Sequence, residues 1–484
     1  MARDPRLSES EFYLENKETW QLQIDSYESG PAFKKAKYLF AHFRENPDNY
    51  KDRIKRCVPT GYARAVIQEY QSLLSRAEFS RDATAQEFMD WMDNCDRVGT
   101  TLGDYALTRI FPIGQAVGWT WVLVDKPMPG DDVDIQSRAD EIQAGLFPYL
   151  VHYAPTSVIN WEFDSQGQLE FITVRTGVPA KLRDVAGKTK TVLQLWDETG
   201  WAIYRESKDT GNKLLAEGEH NLGRVPFVAY VNGVNITTPY LGVSAIANIV
   251  YLNQRIFNTK SLLDEFLYRQ CFNVLTLPKE LMVDENAEIK VGTSNAIPVG
   301  MGEHTPGYVS PPVEPAEFLL KSMETDAHEI YKESGLVDRT GQQVASAMSG
   351  ISRAFEFHST NSMMVAKADG LVKFEEDVAA LWELYEQKES GYTVNAPSDF
   401  DIRDATQELD EITKVLGLSL NLPTLKKERV RKAINALLPG ASPEVIEAIN
   451  NELDAVVIAA PAAPAESGLR DRFAARFGAP KVTP

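Results

Sequence analysis

A long amphipathic stripe constrains this chain more than any other feature. Beyond Pro239, the residues Ile246, Val250, Asn253, Phe257, Leu262-Leu263 and Phe266-Leu267 recur at helical spacing. They predict a helix of about 30 residues, roughly 40 Å long at 1.5 Å per residue. A second stripe, Leu319, Met323, Ala327 and Ile330-Tyr331, predicts a helix from Pro315 to Ser334 with Gly335 as its stop. The segment between them reads differently. Phe272–Leu277, Glu288–Val291 and Ala296–Val299 look like short strands, and a Gly/Pro-rich stretch ends at Ser310-Pro-Pro312. Two long helices bracketing a β-rich insert leave few architectures open. Either both are core helices of a large globule, or each must bury stripes against neighbouring chains. Periodicity alone does not choose.

The flanks give the rest of the organisation. The first hundred residues read as helices: Phe33 to Arg44, a turn at Asn46-Pro47-Asp48, a helix opened by Thr60, and a run from Ala85 to Arg109. From Gly114 the chain turns to strands, at Ala116–Asp125, Pro148–Tyr153, Val158–Phe163, Leu169–Thr176, Thr191–Asp197, Trp201–Arg205 and Val225–Val231. Turns such as Asp164-Ser-Gln-Gly167 and Asp197-Glu-Thr-Gly200 separate them. An acidic loop (Asp131, Asp132, Asp134) and a short helix near Arg138–Ala144 interrupt the series. After the second stripe, Asp338–Gly350 is small and polar. A third long helix then runs from Ile351 to Lys388, with Gly370 as a candidate kink. Tyr392 to Ile402 reads as extended chain, and Thr406–Leu416, Lys426–Leu437 and Pro443–Asp454 as short helices. Beyond Ala459 the composition is Ala/Pro-rich and reads as a flexible tail.

At 484 residues the chain exceeds a single core of about 100–200 residues, so three or more folding units are expected. No apolar run approaches the roughly 20 residues that span a bilayer, and Met1-Ala-Arg-Asp-Pro-Arg-Leu7 lacks the apolar core of a secretion signal. Cys57, Cys95 and Cys271 form no CxxC pair and read as reduced, packed thiols. Fifty basic residues against 69 acidic ones give a formal charge of −19. A protein that grips DNA needs a cation for each phosphate contact, so this balance argues against sequence-specific DNA binding. It suits a passage through which DNA slides without a deep binding minimum. No P-loop, Gly-x-Ser-x-Gly elbow or strand-linked Gly-x-Gly-x-x-Gly is present. Asp326-x-His328 with Glu329, and Glu356 with His358, carry metal-capable groups but lack the His-x-x-x-His spacing. The chain therefore reads as a non-enzyme with no cofactor or metal, and a metal-dependent hydrolase at Asp326/His328 is the distant alternative.

Three stretches and the order of the elements resemble the bacteriophage portal family, the head-to-tail connectors of tailed double-stranded DNA phages. Gly118-Trp-Thr-Trp-Val-Leu-Val-Asp125-Lys-Pro127 is similar to the family's Gly-x-x-x-Val-Leu-Val-Asp-x-Pro strand. Tyr153-Ala-Pro155-Thr-Ser-Val-Ile-Asn160-Trp161, followed by an acidic-Gly turn, resembles its Pro-x-x-Ile-Asn-Trp segment. Arg224-Val-Pro226-Phe227-Val228 is similar to the strand before its first long helix. The order helix, β-rich insert, helix, polar loop, long helix resembles stem, clip, stem, tunnel loop and crown-ward helix. The similarity spans roughly residues 30–455 and rests on the order of the motifs. One departure is Pro239-Tyr-Leu-Gly-Val-Ser244, where the family often has Pro-Pro-Leu and small polar residues.

The resemblance implies an α+β, helix-rich portal fold with long stem helices around a central channel. Residues 1–240 are then the wing, 241–272 and 315–337 the stem, and 273–314 the clip. Residues 338–350 become the tunnel loop, 351–404 the long helix returning to the wing, 405–455 the crown and 456–484 a tail. It further implies a homo-oligomer, a dodecamer in the family, set at one capsid vertex of the virion and assembled in the host cytoplasm. The implied partners are the terminase large subunit, the neck adaptor, the major capsid protein and double-stranded DNA in transit, with no membrane. The candidate channel residues are Arg339, Gly341, Gln342, Gln343 and Gly350, with the glycines as hinges. Lys426, Lys427, Arg429, Arg431 and Lys432 form the densest basic run, a candidate DNA contact in the crown that also has the look of a solvated helix face. Another head or neck structural protein is the nearer alternative.

Overall fold

The computed structural model describes residues 4–34, 38–77, 79–127, 140, 144–179, 189–206, 212–233, 235–236, 241–270, 274–278, 296–299, 307–309, 312–336, 350–397, 400, 431, 448–449 and 451–452. The chain divides into two compact units, Met1–Phe400 and Asp401–Pro484. Length alone predicts more. The first unit stays whole because its helices and sheets share one apolar core, from Tyr13 and Trp20 through Trp119 and Trp121 to Phe374 and Trp382. In the second unit the few described residues are helical.

Helices open the chain: α1 (Glu11–Glu28), the short α2 (Pro31–Lys34), α3 (Pro47–Arg56) and α4 (Tyr62–Arg76). The Ser10 hydroxyl caps α1 by accepting from the Tyr13 N–H, and Asn46 caps α3 with Pro47 in its first turn. Among the described residues the expected helix from Phe33 to Arg44 is seen only at Phe33–Lys34. Residues 38–46 make a loop instead, because Tyr38 and Leu39 are both buried and side chains of other elements bond the loop's backbone. Strand β1 (Ser80–Asp82) follows, then α5 (Gln86–Met92). The expected run from Ala85 to Arg109 is broken here. Arg97 and Gly99 have φ of 63° and 91°, and the Asp96 carboxylate accepts from the Val98 and Thr100 N–H groups. Helix resumes at α6 (Leu102–Tyr105), widens into a π turn over Ala106–Ile110, and ends as α7 (Phe111–Val117) at Gly118, which is left-handed.

Strand β2 (Trp119–Asp125) is buried along all but its last residue. It is the centre of an antiparallel sheet between β3 (Tyr149–Tyr153) and a later strand, so its apolar run is that of an interior strand. Next come β4 (Val158–Phe163), β5 (Leu169–Pro179), β6 (Thr189–Asp197), β7 (Gly200–Arg205) and β8 (Lys213–Glu219), an antiparallel meander in sequence order. Strand β8 escapes the sequence pattern because it is an exposed edge. Strand β9 (Phe227–Val231) completes the β2 sheet.

The first long helix, α8 (Ile249–Gln270), starts later than its apolar stripe. The residues just ahead of the stripe are tied down, with Val243 N–H donating to Asn232 O (2.8 Å), Ala245 N–H to Gln115 O (2.9 Å) and the Ser244 hydroxyl to Ala116 O (2.6 Å), and residues 245–248 form turns before the helix starts. Strands β10 (Val274–Pro278), β11 (Ala296–Val299) and β12 (Gly307–Val309) form a small sheet, β11 parallel and β12 antiparallel to β10. The expected strand at Glu288–Val291 lies outside the described residues. Helix α9 (Glu314–Ser334) ends at Gly335, left-handed as predicted. Helix α10 (Gly350–Glu386) has 37 residues, about 55 Å, and its hydrogen bonding continues through Gly370, where a kink was expected. Strand β13 (Thr393–Asn395) brings the chain back to pair with β1.

Candidate assembly interface

Helices α8 and α9 form an antiparallel hairpin. Asn248, one residue before α8, donates to Glu333 near the end of α9 (3.1 Å). One turn-pair further, Arg255 makes a two-point ion pair with Asp326. Seven residues forward on one strand of the hairpin match seven back on the other. That register sets Leu262 opposite Leu319 and carries the free end of the hairpin to the β10–β12 sheet. Asp326 is buried and paired with Arg255. Among the described residues no group of three His, Cys, Asp or Glu could hold a metal. Nor is any described helix long and apolar enough to cross a membrane.

The hairpin carries exposed apolar side chains on two sides. Tyr251, Arg255, Asn258 and Leu262 repeat at i, i+4, i+7 and i+11 and so share one face of α8. On α9, Phe318 and Glu329 share a face by the same spacing. Arg255 also reaches Glu329 (3.8 Å), which puts the two faces on one flank. On this flank Tyr251 is 54% exposed, Leu262 40% and Phe318 73%. Leu267 lies five residues beyond Leu262, about 140° round the helix, and Leu320 lies about 160° from Phe318. Both are nearly half exposed. Exposed apolar groups therefore occur on both flanks of one projecting element, where an isolated chain has no use for either.

One flank of α8 is braced by α3. The Arg53 guanidinium bonds the Ser261 hydroxyl (3.1 Å), and Arg56 pairs with Glu265 and lies 4.2 Å over the Tyr268 ring. The root of the hairpin is braced differently. Tyr70 of α4 donates to Ser334 O (2.5 Å). Beside it, Lys367 of α10 is 7% exposed and bonds the Gln115 amide oxygen and Asn232 Oδ1 (3.2 Å), with its ammonium 4.7 Å over the Tyr70 ring. Gln115 in turn donates to the Tyr230 hydroxyl (2.8 Å) and to Asn232 (2.9 Å). Burial pulls the Lys367 ammonium down to about 8. The same element carries the buried Glu375, held by both Arg81 nitrogens (2.8 Å each) and by the Tyr392 hydroxyl (2.6 Å). Cys57 and Cys95 are buried free thiols, and burial raises Cys95 to about 12, in keeping with packed cysteines.

Of the candidate channel residues, Arg339, Gly341, Gln342 and Gln343 lie outside the described residues. Gly350 was expected to be a loop hinge and is instead the first residue of α10. In the basic run only Arg431 is described, half-buried in helix; Lys426, Lys427, Arg429 and Lys432 lie outside. No protein-family model and no curated protein matches the chain. Solved structures give partial overlaps. The chain is similar to a component of the neck of an empty GTA particle computed with C6 symmetry, at TM-score 0.40 and 11% identity over 75% of this chain and 87% of that one. It is also similar to one of the native GTA neck computed with C12 symmetry, at TM-score 0.41 and 12% identity over 79% and 90%.

Proposed function

We propose that this chain is a portal subunit: copies close into a ring whose channel passes double-stranded DNA into and out of a capsid. The observation that carries the reading is the hairpin with exposed apolar groups on both flanks. A two-fold dimer buries one patch against its own copy. A closed ring is heterologous, so every subunit must offer two different faces. The antiparallel hairpin supplies both on an element about 30 Å long, tipped by a small sheet. The acidic balance of the chain fits a conduit that must not hold the DNA it passes.

In this reading α8 and α9 are stem helices and the β10–β12 sheet is a clip on which terminase, then a neck adaptor, docks. The residues between Leu336 and Gly350 form the loop facing DNA, with Arg339, Gln342 and Gln343 making passing contacts to phosphate. Residues 405–455 form the crown, whose Lys426–Lys432 run meets packaged DNA. The ring is a passive gate; nucleotide hydrolysis belongs to the terminase partner. Electron-microscopic class averages of the purified protein test this directly. Rings of twelve, or of a neighbouring number, with an open centre are expected. A monomer at micromolar concentration, or an assembly without a hole, overturns the reading. The variant carrying Leu262→Asp and Phe318→Asp should stay folded by circular dichroism and lose the rings.

A further inference from the structure

The loop at residues 38–46 is built to hold one shape. Arg53, 2% exposed, donates to both Glu45 carboxylate oxygens (2.8 and 2.7 Å) and to Phe40 O (2.7 Å). Asn258 of α8 accepts from the Phe40 N–H (2.8 Å) and donates to Tyr38 O (2.9 Å). The Tyr50 hydroxyl donates to Leu39 O (2.5 Å). The Arg53 contact holds the Glu45 carboxyl below the usual carboxylate range, so the clasp stays ionised. All this fixes a tip, His42-Phe43-Arg44, whose Phe43 is 83% exposed. Its ring lies against His42 (4.5 Å) and under the Arg44 guanidinium (5.1 Å). A large aromatic held outward on a stiff loop, ringed by cationic and polar groups, has the form of a plug.

A matching socket exists elsewhere on the same unit. A cavity of about 230 Å³ opens where the end of α4 meets α5, α6 and α10. Its floor is apolar, with Leu74, Met92, Leu107 and Leu371. Its rim carries the exposed carboxylates of Asp93 and Asp104. Arg81 is the cation in its lining, and that guanidinium is committed to Glu375. Plug and socket are separated within one chain. The loop hangs from Asn258 of α8, while α4 begins beside Asn253 of α8, whose side chain accepts from the Tyr62 N–H. Those positions are five residues apart, about 140° round α8, and the socket is a further ~20 Å away along α4.

We infer that Phe43 of one copy seats in the cavity of the next, with Arg44 facing Asp93 and Asp104 across the rim. The occupant is a second copy because tip and socket are complementary in both charge and polarity and occupy different flanks. That is the arrangement a head-to-tail contact needs. The inference rests on self-assembly of this chain and names a contact away from the hairpin that the ring reading uses.

Photocrosslinking tests it. p-Benzoylphenylalanine in place of Phe43 keeps an aromatic plug and reacts with what surrounds it. An equimolar mixture with isotope-labelled wild type shows whether an adduct joins two chains. The expected adduct is intermolecular and maps to residues 74–107 or to Leu371. Phe43→Ala should weaken association about thirtyfold, from the loss of one buried aromatic. Arg44→Glu should weaken it about fivefold, and Asp93→Lys with Asp104→Lys should restore it. Rings with no adduct at the cavity, or with the adduct elsewhere, overturn the plug and leave the ring reading standing. An adduct at the cavity without rings supports the plug and removes the ring. Neither adduct nor rings overturns both.

Discussion

Lys367 gives the sharpest physical test of the root of the hairpin. Its bonds are to amide oxygens and a tyrosine ring rather than to a carboxylate, so burial is uncompensated by opposite charge. Its ammonium falls from 10.5 to about 8 in the folded chain. For a base lowered in this way the sign is unambiguous. Below pH 8 both folded and unfolded chains hold the proton, and the folded chain bears the full cost of a buried charge, about 3 kcal/mol. As pH rises from 8 towards 10.5 the folded lysine is already neutral, and the cost disappears. Lys367→Met removes the charge but leaves the Gln115 amide oxygen without its donor, a loss of about 1–3 kcal/mol that does not vary with pH. At neutral pH the two effects nearly cancel, so a stability measurement there is uninformative. Proton uptake on unfolding is decisive. At pH 9 the unfolded lysine holds nearly a full proton and the folded one about a tenth. Wild type should therefore take up about 0.9 more protons per chain than Lys367→Met when unfolded in urea. At pH 7 the two should differ by close to nothing. An indicator dye in weak buffer reads both, with no need for a two-state transition. Equal uptake at pH 9 would mean that water reaches the lysine and that the Gln115–Tyr230–Asn232 cluster does not close over it.

Further outcomes follow from the same packing. Arg81→Ala leaves the fully buried Glu375 with only the Tyr392 hydroxyl and should cost about 3–5 kcal/mol in urea unfolding. Gly242→Ala places a Cβ 2.0 Å from Gly118 O, and Gly114→Ala one 2.2 Å from the Tyr230 ring. Each should lower stability by about 1–3 kcal/mol or more, read as a fall in Tm. Gly370→Ala is the control. Its nearest new contact is 3.5 Å, so helix propensity should raise stability by up to about 1 kcal/mol; a loss there would revive the kink.

The large periodic elements were legible because burial wrote them into the residue pattern. The α8 and α9 stripes, the Gly335 stop and the continuous apolar run of β2 are all direct prints of what each element packs against. Boundaries were less legible where side chains replace backbone pairing. The loop at 38–46 keeps a helical-looking composition, yet Arg53, Asn258 and Tyr50 take its backbone groups. The start of α8 moved because residues 243–245 are bonded to the end of α7 and to Asn232. Lys367 and Glu375 left a signal that periodicity could have found. They lie in the Met364–Leu371–Val378 register of α10, charged residues at core positions. Asp326 is the same case on α9, a buried carboxylate paired with the more exposed Arg255 of α8. The plug and socket left no such trace, since cavities form between elements distant in sequence. For the expected channel loop and basic run, the described structure adds that Gly350 and Arg431 belong to helices.

The glycine crossing at the root of the hairpin has a mechanical consequence. Gly118 and Gly242 meet backbone to backbone, and Asn232 N–H donates to Gly118 O across the same point (2.7 Å). The side chains of Asn232 and Ser244 bond across the same joint, to Val243 O (2.7 Å) and Ala116 O (2.6 Å). Helix α8 then extends about 33 Å from it, so a rotation of about 5° at the joint swings the far end by roughly 3 Å, a displacement that can break any contact made there. Load applied at the hairpin's tip is therefore shared between this joint and the contacts that Arg53 and Arg56 of α3 make along α8.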